Sequence, residues 1–325
     1  MTVQTRMKTQ THHNQTFRSV PTHSKPLDSS RLEKLFQQQI DLYKSNLRSS
    51  SSEYLTALKT IPLGAHSTFQ SFDPYPISIK SAKGAWMVDV DGRKMLDLSM
   101  GFGSMLVGHL NPEVMAELKS TLDIGTLYTA PSPDSRDAAE RLCRRFGIDQ
   151  IRFTNSGTES TMYAVRTARA YTGKEGVVKV EGGYHGSGDA LLVSNKPPLD
   201  KAGPADAPIP VIGNAAVPGL SYVVPYNNVE ALEAVFQKHS DKIACFIVEP
   251  VLENVGIILP DEGYLESVRA LCDEYKIVLI FDEVKTGLTA GPQGAAQRLG
   301  VIPDLICLAK SIGGGIPLAA FGGKT

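Results

Sequence analysis

Two side chains that could carry out chemistry stand directly after short apolar segments of the sequence. Lys310 follows the segment 305–309, and Asp282 follows the segment 277–281. Burial at the end of a strand disfavours an ammonium ion, which is one route to a nucleophilic amine that forms Schiff bases. The glycines at 313–315 let the backbone pass close to a ligand. A lysine that only reaches solvent leaves these glycines unexplained, so the pattern favours a reactive amine at Lys310.

A loop of small polar residues links the segment 151–154 to a predicted helix at 158–171. It contains Ser156, Gly157 and Thr158. Backbone N–H groups, two hydroxyls and the positive end of the helix dipole would meet there, an arrangement that holds a phosphate without a basic side chain. An ordinary helix cap, with Ser156 or Thr158 as the capping hydroxyl, explains the same residues equally well.

Two carboxylates occupy similar positions at predicted strand ends. Glu249 follows the segment 243–248, as Asp282 follows its own strand. A buried carboxylate needs a partner because an unpaired buried charge is costly. The protonated ring nitrogen of a cofactor is one candidate partner, and a salt bridge or a cap for the next turn is the other.

Other nucleotide-binding and nucleophile motifs are missing from the sequence. A P-loop that ends in Gly323-Lys324-Thr325 would need its first glycine at position 318, which is Leu318. A G-x-G-x-x-G motif starting at Gly186 meets Leu191 at its last position. No G-x-S-x-G segment occurs. The histidines of the N-terminal segment are interpreted as incidental, so no metal site is predicted; they are His12, His13 and His23.

Helices and short apolar strands alternate through most of the chain and would position these residues. Strands are predicted at 151–154, 177–180, 243–248, 277–281 and 305–309, and helices at 158–171, 229–238 and 262–275. Alternation of this kind predicts an α/β fold with a mostly parallel sheet covered on both faces. Such sheets bind ligands at the carboxyl ends of their strands. The Pro- and Gly-rich segment 195–218 is predicted to be a long loop.

The N-terminal third has a different character. Residues 1–29 are expected to form a disordered head; the first 27 contain no Asp or Glu, which an organelle transit peptide would also explain. A helix is expected from Ser30, with capping-box spacing to Glu33, and the serine run 49–52 is expected to end it. A hairpin follows at 85–98. Together, 30–110 are predicted to form N-terminal helices and a hairpin of a small domain, and 111–325 a large domain.

Composition limits the classes of function. The 325 residues carry 33 Lys plus Arg against 34 Asp plus Glu, and the net charge of -1 gives no general attraction to nucleic acid. The longest apolar runs are of strand length, which predicts no membrane span. The four cysteines are widely spaced, so neither a disulfide framework nor a zinc site is expected. A reducing, cytoplasmic location fits this pattern.

Several longer strings extend these observations to a known family. The sequence resembles the class III aminotransferases, and within them the glutamate-1-semialdehyde aminomutase branch, over nearly everything after residue 54. The strings that carry the resemblance are DVDGRKMLDLSMGFGSMLVGHLNPEV from 89, FTNSGTESTMYAVRTARAYTG from 153, EGGYHG from 181, VPYNN from 224, IVEPV from 247, LCDEYKIVLIFDEVKTG from 271 and PDLICLAKSIGGGIPLAAFGG from 303.

The resemblance implies a fold and a set of roles. It implies the aspartate-aminotransferase-like fold, pyridoxal-phosphate fold type I, with pyridoxal 5'-phosphate as cofactor. Lys310 would form a Schiff base with it and shuttle a proton. The implied cofactor contacts are the phosphate for Ser156, Gly157 and Thr158, the ring faces for Tyr184 and Val284, the phenolic side for Asn254 and the pyridine nitrogen for Asp282. The residues implied to face the substrate are Ser67, Phe102 and Lys285, the last of which replaces a glutamine or methionine usual in relatives.

The implied activity is amino-group transfer on a small amino acid or amine. It proceeds either within one molecule, as in the aminomutases, or from a donor to a keto or aldehyde acceptor; decarboxylation and racemisation on the same cofactor stay open. Relatives are homodimers, which we also expect of the complete protein, with no nucleic-acid or membrane partner. Only 15 residues (325 minus 310) follow Lys310, so we interpret the chain as truncated at its C-terminus, with an incomplete large domain and without the C-terminal small domain. The family function is then expected of the complete protein. A catalytically silent binding protein is the alternative.

Overall fold

A computed structural model of the chain describes residues 28–212 and 221–325. Its helices are α1 (Ser29–Asn46), α2 (Arg48–Ala57), α3 (Met100–Gly103), α4 (Pro112–Leu122), α5 (Pro133–Phe146), α6 (Gly157–Thr172), α7 (Val229–His239), α8 (Tyr264–Tyr275), α9 (Thr286–Thr289) and α10 (Gly294–Leu299). Its strands are β1 (Ile79–Lys83), β2 (Trp86–Asp89), β3 (Lys94–Leu96), β4 (Gln150–Thr154), β5 (Gly176–Val180), β6 (Ser221–Val224), β7 (Ile243–Val248), β8 (Val278–Asp282), β9 (Leu305–Leu308) and β10 (Ala319–Gly323). Contacts divide the chain into a first unit, residues 1–80 and 89–93, and a second unit, residues 81–88 and 94–325.

The first unit contains α1 and α2. The cap of α1 is Asp28, whose side chain accepts the Ser30 amide, so the expectation of a cap at Ser30 is wrong. The expectation that the serine run ends this helix is also wrong, because the break lies at Leu47 and the serines belong to α2. Asp91 explains this, since its carboxylate accepts the backbone amides of Ser49 and Ser50 in the first turn of α2. A carboxylate there satisfies amides that have no partner within the helix.

The second unit is built on a seven-stranded sheet in the order β4-β10-β9-β8-β7-β5-β6. The pairs β5–β6, β5–β7, β7–β8 and β8–β9 are parallel, and β10 pairs antiparallel with both β4 and β9. The predicted mostly parallel sheet is confirmed. The predicted hairpin is also present, since β2 and β3 pair antiparallel with Trp86 opposite Leu96.

Alternate residues of the central strands face opposite layers of the core. Phe246 and Phe281 pack on the side that contains buried residues of α7 and α8. Cys245 and Ile280 pack on the other side with Ala164 and neighbouring residues of α6. This alternation follows from the two-residue period of a strand, and it buries both faces of the sheet.

Several predictions concern residues at the edges of the described chain. Of the predicted head, 1–27 lie outside the described residues, together with His12, His13 and His23. The predicted long loop is described only to residue 212, and that part contains no helix or strand beyond an isolated bridge between Val193 and Ile212. The proposed domain boundaries stay a prediction. Over the part of the chain that is described, no helix has both the length and the apolar character needed to cross a membrane.

Candidate active site

A cavity of about 350 Å³ opens in the second unit at the carboxyl ends of the strands. Strands β4, β8 and β9 run in the same direction, so the residues that follow them meet at one edge of the sheet. Most of the residues predicted for the site line this cavity; they are Ser156, Gly157, Thr158, Tyr184, Asp282, Val284, Lys285 and Lys310. The structure therefore brings together residues that are up to 154 positions apart (310 minus 156).

The loop between β4 and α6 presents a helix N-terminus to the cavity. Ser156 is the N-cap of α6, and its Oγ atom accepts the Glu159 amide at 3.2 Å. The capping interpretation of Ser156 therefore holds. The Oγ1 atom of Thr158 accepts the Ser187 amide at 3.3 Å. The first amides of the helix still have no partner within it, and together with the helix dipole they form a site that suits an anion.

A close approach of two loops shapes this end of the cavity. Gly186 has a φ of +82°, and a Cβ atom added there would lie 2.6 Å from Oγ1 and 2.7 Å from Cα of Thr158. Only glycine tolerates both this backbone conformation and this contact. The turn 181–186 is therefore held against the N-terminus of α6.

Asp282, the last residue of β8, is 3% exposed and has two partners. Its Oδ2 atom lies 2.8 Å from Nδ1 of His185, and its Oδ1 atom accepts the Val284 amide at 3.0 Å. The next carboxylate along the chain, Glu283, points to the other side and accepts the amides of Ala295 and Ala296 at the start of α10. The pair Asp282–Glu283 thus divides into one carboxylate at the cavity and one that caps a helix.

Glu249 also lines the cavity, at the end of β7. Its Oε1 atom accepts the Tyr184 amide at 3.1 Å and its Oε2 atom accepts the Glu253 amide at 3.2 Å. Burial raises the pKa of this carboxyl group, and the nearby His185 opposes the effect. Of the two partners considered for this carboxylate, the structure shows backbone amides, as in a cap.

Lys310 stands at the mouth of β9, half-buried, in a short 3₁₀ turn. Its φ of +48° is a left-handed conformation, which is strained for a residue with a side chain. Burial lowers the pKa of the Lys310 amine, the Asp282 carboxylate opposes this, and the Lys285 ammonium adds to it. A lowered pKa raises the fraction of free amine near neutral pH, as a nucleophilic lysine requires.

Lys285 places a second cation at the cavity. It follows Val284 in the turn between β8 and α9 and is half-buried. None of the ion pairs found within residues 28–212 and 221–325 includes Lys285. Its ammonium is consequently available to an anionic group that enters the cavity.

Three predicted residues are not among those that line the cavity. Asn254 donates its side-chain amide to the Gly182 carbonyl at 3.0 Å and so supports the turn that precedes Tyr184. Phe102 is 56% exposed and left-handed, although Ser104, two residues further on, does line the cavity. Ser67 belongs to the first unit, where its hydroxyl accepts the Phe69 amide.

Sequence reasoning assigned no role to two residues that the structure places in the site. In the sequence His185 stands out only as part of the string EGGYHG from 181, and its pairing with Asp282 spans 97 positions. Ser104 lies in the glycine-rich segment 101–108 and carries no motif of its own. No local signal indicates either contact, because both depend on how distant segments pack.

Comparisons with known proteins agree with this geometry. The sequence model of the class III aminotransferases matches residues 69–325. A glutamate-1-semialdehyde 2,1-aminomutase from Salinibacter ruber is 40% identical over 283 residues, which cover 86% of this chain and 64% of the relative. The chain thus spans just under two thirds of the length of that relative.

Solved structures give the same result for the fold. A structure described as a transaminase with PLP bound has a TM-score of 0.80 and 33% identity, and the match covers 86% of this chain and 65% of that one. A glutamate-1-semialdehyde aminomutase variant from Pseudomonas aeruginosa PAO1, in complex with PMP, has a TM-score of 0.83 and 29% identity, with 92% and 65% covered.

Proposed function

The chain belongs to the class III aminotransferase family, with its pyridoxal-phosphate type I fold, and from this premise we propose that it binds pyridoxal 5'-phosphate and transfers an amino group with Lys310 as the reacting amine. One observation carries the proposal: a single cavity is lined by the Lys310 amine, the Asp282 carboxylate and the N-terminus of α6. The aldehyde of the cofactor needs the amine, its ring nitrogen needs the carboxylate and its phosphate needs the helix N-terminus.

The residues present fit this cofactor. The cavity volume of about 350 Å³ lies within the range of small-molecule sites. The close contact of Gly186 with Thr158 builds a narrow end next to the helix N-terminus, where Ser156, Gly157 and Thr158 would hold the phosphate. Tyr184 and Val284 would cover the two ring faces. We propose that Asn254 acts on the phenolic side indirectly, through the Gly182 carbonyl that it binds.

When bound, pyridoxal phosphate supplies an aldehyde that reacts with amines and a ring that accepts electrons from the substrate carbon. Asp282 would keep the ring nitrogen protonated, since a buried carboxylate held by His185 and the Val284 amide favours a cation beside it. Lys310 would take a proton from the substrate carbon and return it, because its lowered pKa provides free amine.

The substrate is proposed to be a small amino acid or amine with an anionic group. Lys285 would bind that group, since its ammonium lacks an ion-pair partner within the described residues. Ser67 and Phe102 stay predicted substrate residues. Transfer within one molecule, as the name of the Salinibacter ruber relative implies, is the form we favour. Transfer to a separate acceptor is the second candidate, because a 33% identical structure is a transaminase.

We also propose a homodimer. Large apolar side chains of the second unit are strongly exposed between residues 98 and 127, among them Leu98 at 86% and Leu127 at 90%. Exposed apolar surface of this kind is typical of an interface. Light scattering during size-exclusion chromatography tests the dimer directly. A cytoplasmic location stays a prediction.

Borohydride reduction followed by peptide mass spectrometry tests the proposed function. The purified protein is incubated with pyridoxal phosphate, reduced and digested. The expected result is a pyridoxyl adduct on Lys310, which disappears in Lys310→Arg and persists in Lys285→Gln. An adduct on another lysine, or none, contradicts the proposal and would support the alternative of a silent binding protein, which the comparisons themselves do not favour.

Product analysis then separates the two forms of transfer. An aminomutase needs no second substrate, so turnover of glutamate 1-semialdehyde without an added keto acid supports transfer within one molecule. A strict requirement for a keto or aldehyde acceptor supports the second candidate.

A further inference from the structure

Lys179 is a fully buried lysine outside the cavity, with 0% of its surface exposed. It lies on β5, a strand whose residues are all buried. Burial of a charge is costly unless the charge is paired. Yet within residues 28–212 and 221–325 no ion pair includes Lys179. Hydrogen bonds from the ammonium group to neutral oxygens offset this cost instead.

Three oxygen atoms surround the Nζ atom of Lys179. The Gly183 carbonyl lies at 2.8 Å, the Val193 carbonyl at 2.5 Å and the Oδ1 atom of Asn195 at 2.7 Å. An ammonium ion has three N–H donors and no acceptor, so it matches three oxygens one to one. A neutral amine has two donors and would direct its lone pair at the third oxygen. The arrangement therefore selects the protonated form of Lys179.

These oxygens belong to two separate segments. Gly183 immediately precedes Tyr184 in the turn 181–186, whereas Val193 and Asn195 flank Ser194 at the start of the long loop. The Gly182 amide donates to the Ser194 carbonyl at 2.8 Å, and the Ser194 amide donates to the Val211 carbonyl at 2.9 Å. The ammonium thus lies where the turn and the loop are already joined by a backbone hydrogen bond.

The turn needs such support because of its sequence. Gly182 and Gly186 both have positive φ values, and glycine loses more conformational freedom on folding than any other residue. We propose that protonated Lys179 is a positioning residue, which ties the turn 181–186 to residues 193–195 and so fixes Tyr184 and His185 at the cavity. We call this set of hydrogen bonds from Lys179 to Gly183, Val193 and Asn195 the clamp. The role of Tyr184 as a ring contact rests on the proposed function, whereas the clamp does not.

The charges that face Lys179 come from two carboxylates. Burial lowers the pKa of Lys179 to about 7, and Glu249 and Glu181 act in the opposite direction. The Oε1 atom of Glu181 is buried without a hydrogen-bond partner among the described residues. Above this pKa the clamp loses one donor. Ionisation of Glu249 as the pH rises has the opposite effect and strengthens the hold on the turn 181–186. A carboxylate binds the Tyr184 amide more strongly than a protonated carboxyl group does.

Native-state hydrogen exchange read by mass spectrometry tests the clamp. In Lys179→Met, peptides covering 181–186 and 193–195 are expected to exchange about tenfold faster, as the loss of hydrogen bonds to a charged group implies. Peptides of α8 should not change. The matched control is Lys238→Met, an exposed lysine of α7, which should leave all these rates unchanged. Unchanged exchange in folded Lys179→Met overturns the proposal.

Two further measurements keep the test valid if Lys179→Met does not fold. Asn195→Ala removes one of the three acceptors and is expected to speed exchange of the same peptides several-fold. In the unmodified protein, protection of the turn, corrected for the chemical exchange rate, should fall as the pH rises from about 6 to about 8. If protection of the turn rises over this range, ionisation of Glu249 controls its stability, and the proposed role of Lys179 is overturned.

The borohydride adduct separates this proposal from the proposed function. If the unmodified protein forms the Lys310 adduct, Lys179→Met should need about tenfold more pyridoxal phosphate for the same yield. Equal yields with unchanged exchange overturn the clamp. If the unmodified protein forms no adduct while Lys179→Met still speeds exchange, the proposed function fails and the clamp stands.

Discussion

The Nδ1 atom of His185 lies 2.8 Å from the Oδ2 atom of Asp282, although the two residues are 97 positions apart in the chain. A carboxylate only accepts hydrogen bonds, so the proton of this contact is on Nδ1. The other ring nitrogen, Nε2, is buried and has no partner among the described residues. The imidazole, which itself lines the cavity, therefore orients Asp282 through one carboxylate oxygen, and the Val284 amide holds the other.

Replacement of His185 should weaken both the fold and cofactor binding. His185→Ala leaves a buried Asp282 oxygen without its partner, and breaking a buried pair in this way costs about 3 kcal/mol of unfolding free energy. Urea unfolding measures the loss, with the exposed His66→Ala as control. Equal stability of the two variants would show that Asp282 does not depend on His185.

Lys285→Gln should act on the substrate more than on the chemistry. Loss of the cation is expected to raise KM for an anionic substrate about tenfold, while a neutral amine is affected little. The same change removes a repulsion that lowers the pKa of Lys310, so that pKa should rise. Steady-state kinetics and the pH dependence of amine labelling at Lys310 measure the two effects. Lys285→Arg, which keeps the charge, is the control. A similar KM increase in both variants argues against charge recognition.

Sequence reasoning predicted the parts of this protein that depend on local pattern. Strands β7 and β9 are continuous apolar runs, and the residues that follow buried parallel strands must meet at one sheet edge, which is why the sequence indicates Lys310 and Asp282 as site residues. Strand β10 is not predicted because two of its five residues are glycines, and only its insertion between β4 and β9 makes it a strand.

The features of the site and its surroundings that the sequence does not predict also depend on long-range packing. The role of His185, the absence of Phe102 from the cavity lining and the three oxygens around Lys179 all depend on contacts between distant segments. A lysine inside an apolar strand is visible in the sequence, but the acceptors that justify it are backbone carbonyls and leave no sequence signal.

Gly186→Ala should be more damaging than Gly173→Ala, which is its matched control. Both glycines have positive φ, so both changes cost about 1 kcal/mol of backbone strain. At Gly173 a new Cβ atom meets nothing within 4 Å, whereas at Gly186 it lies 2.7 Å from Cα of Thr158. Overpacking adds about 2 kcal/mol there and displaces the N-terminus of α6. Thermal unfolding and pyridoxal phosphate binding measure the difference, and equal losses in the two variants contradict the close contact.

Glu249→Gln should change how stability depends on pH. Because burial raises the pKa of Glu249 in the folded protein, the folded state binds its proton more tightly than the unfolded state, where the pKa is about 4.3. The stability of the unmodified protein therefore falls as the pH rises from about 4.3 through the raised folded value. Glu249→Gln cannot ionise and lacks this loss, so it should gain stability relative to the unmodified protein across that window. A constant offset from the altered bonds to Tyr184 and Glu253 does not depend on pH. Denaturant unfolding at a series of pH values measures the difference, and the exposed Glu274→Gln should leave it flat. If the stability difference between Glu249→Gln and the unmodified protein is also independent of pH, burial does not raise the pKa of Glu249.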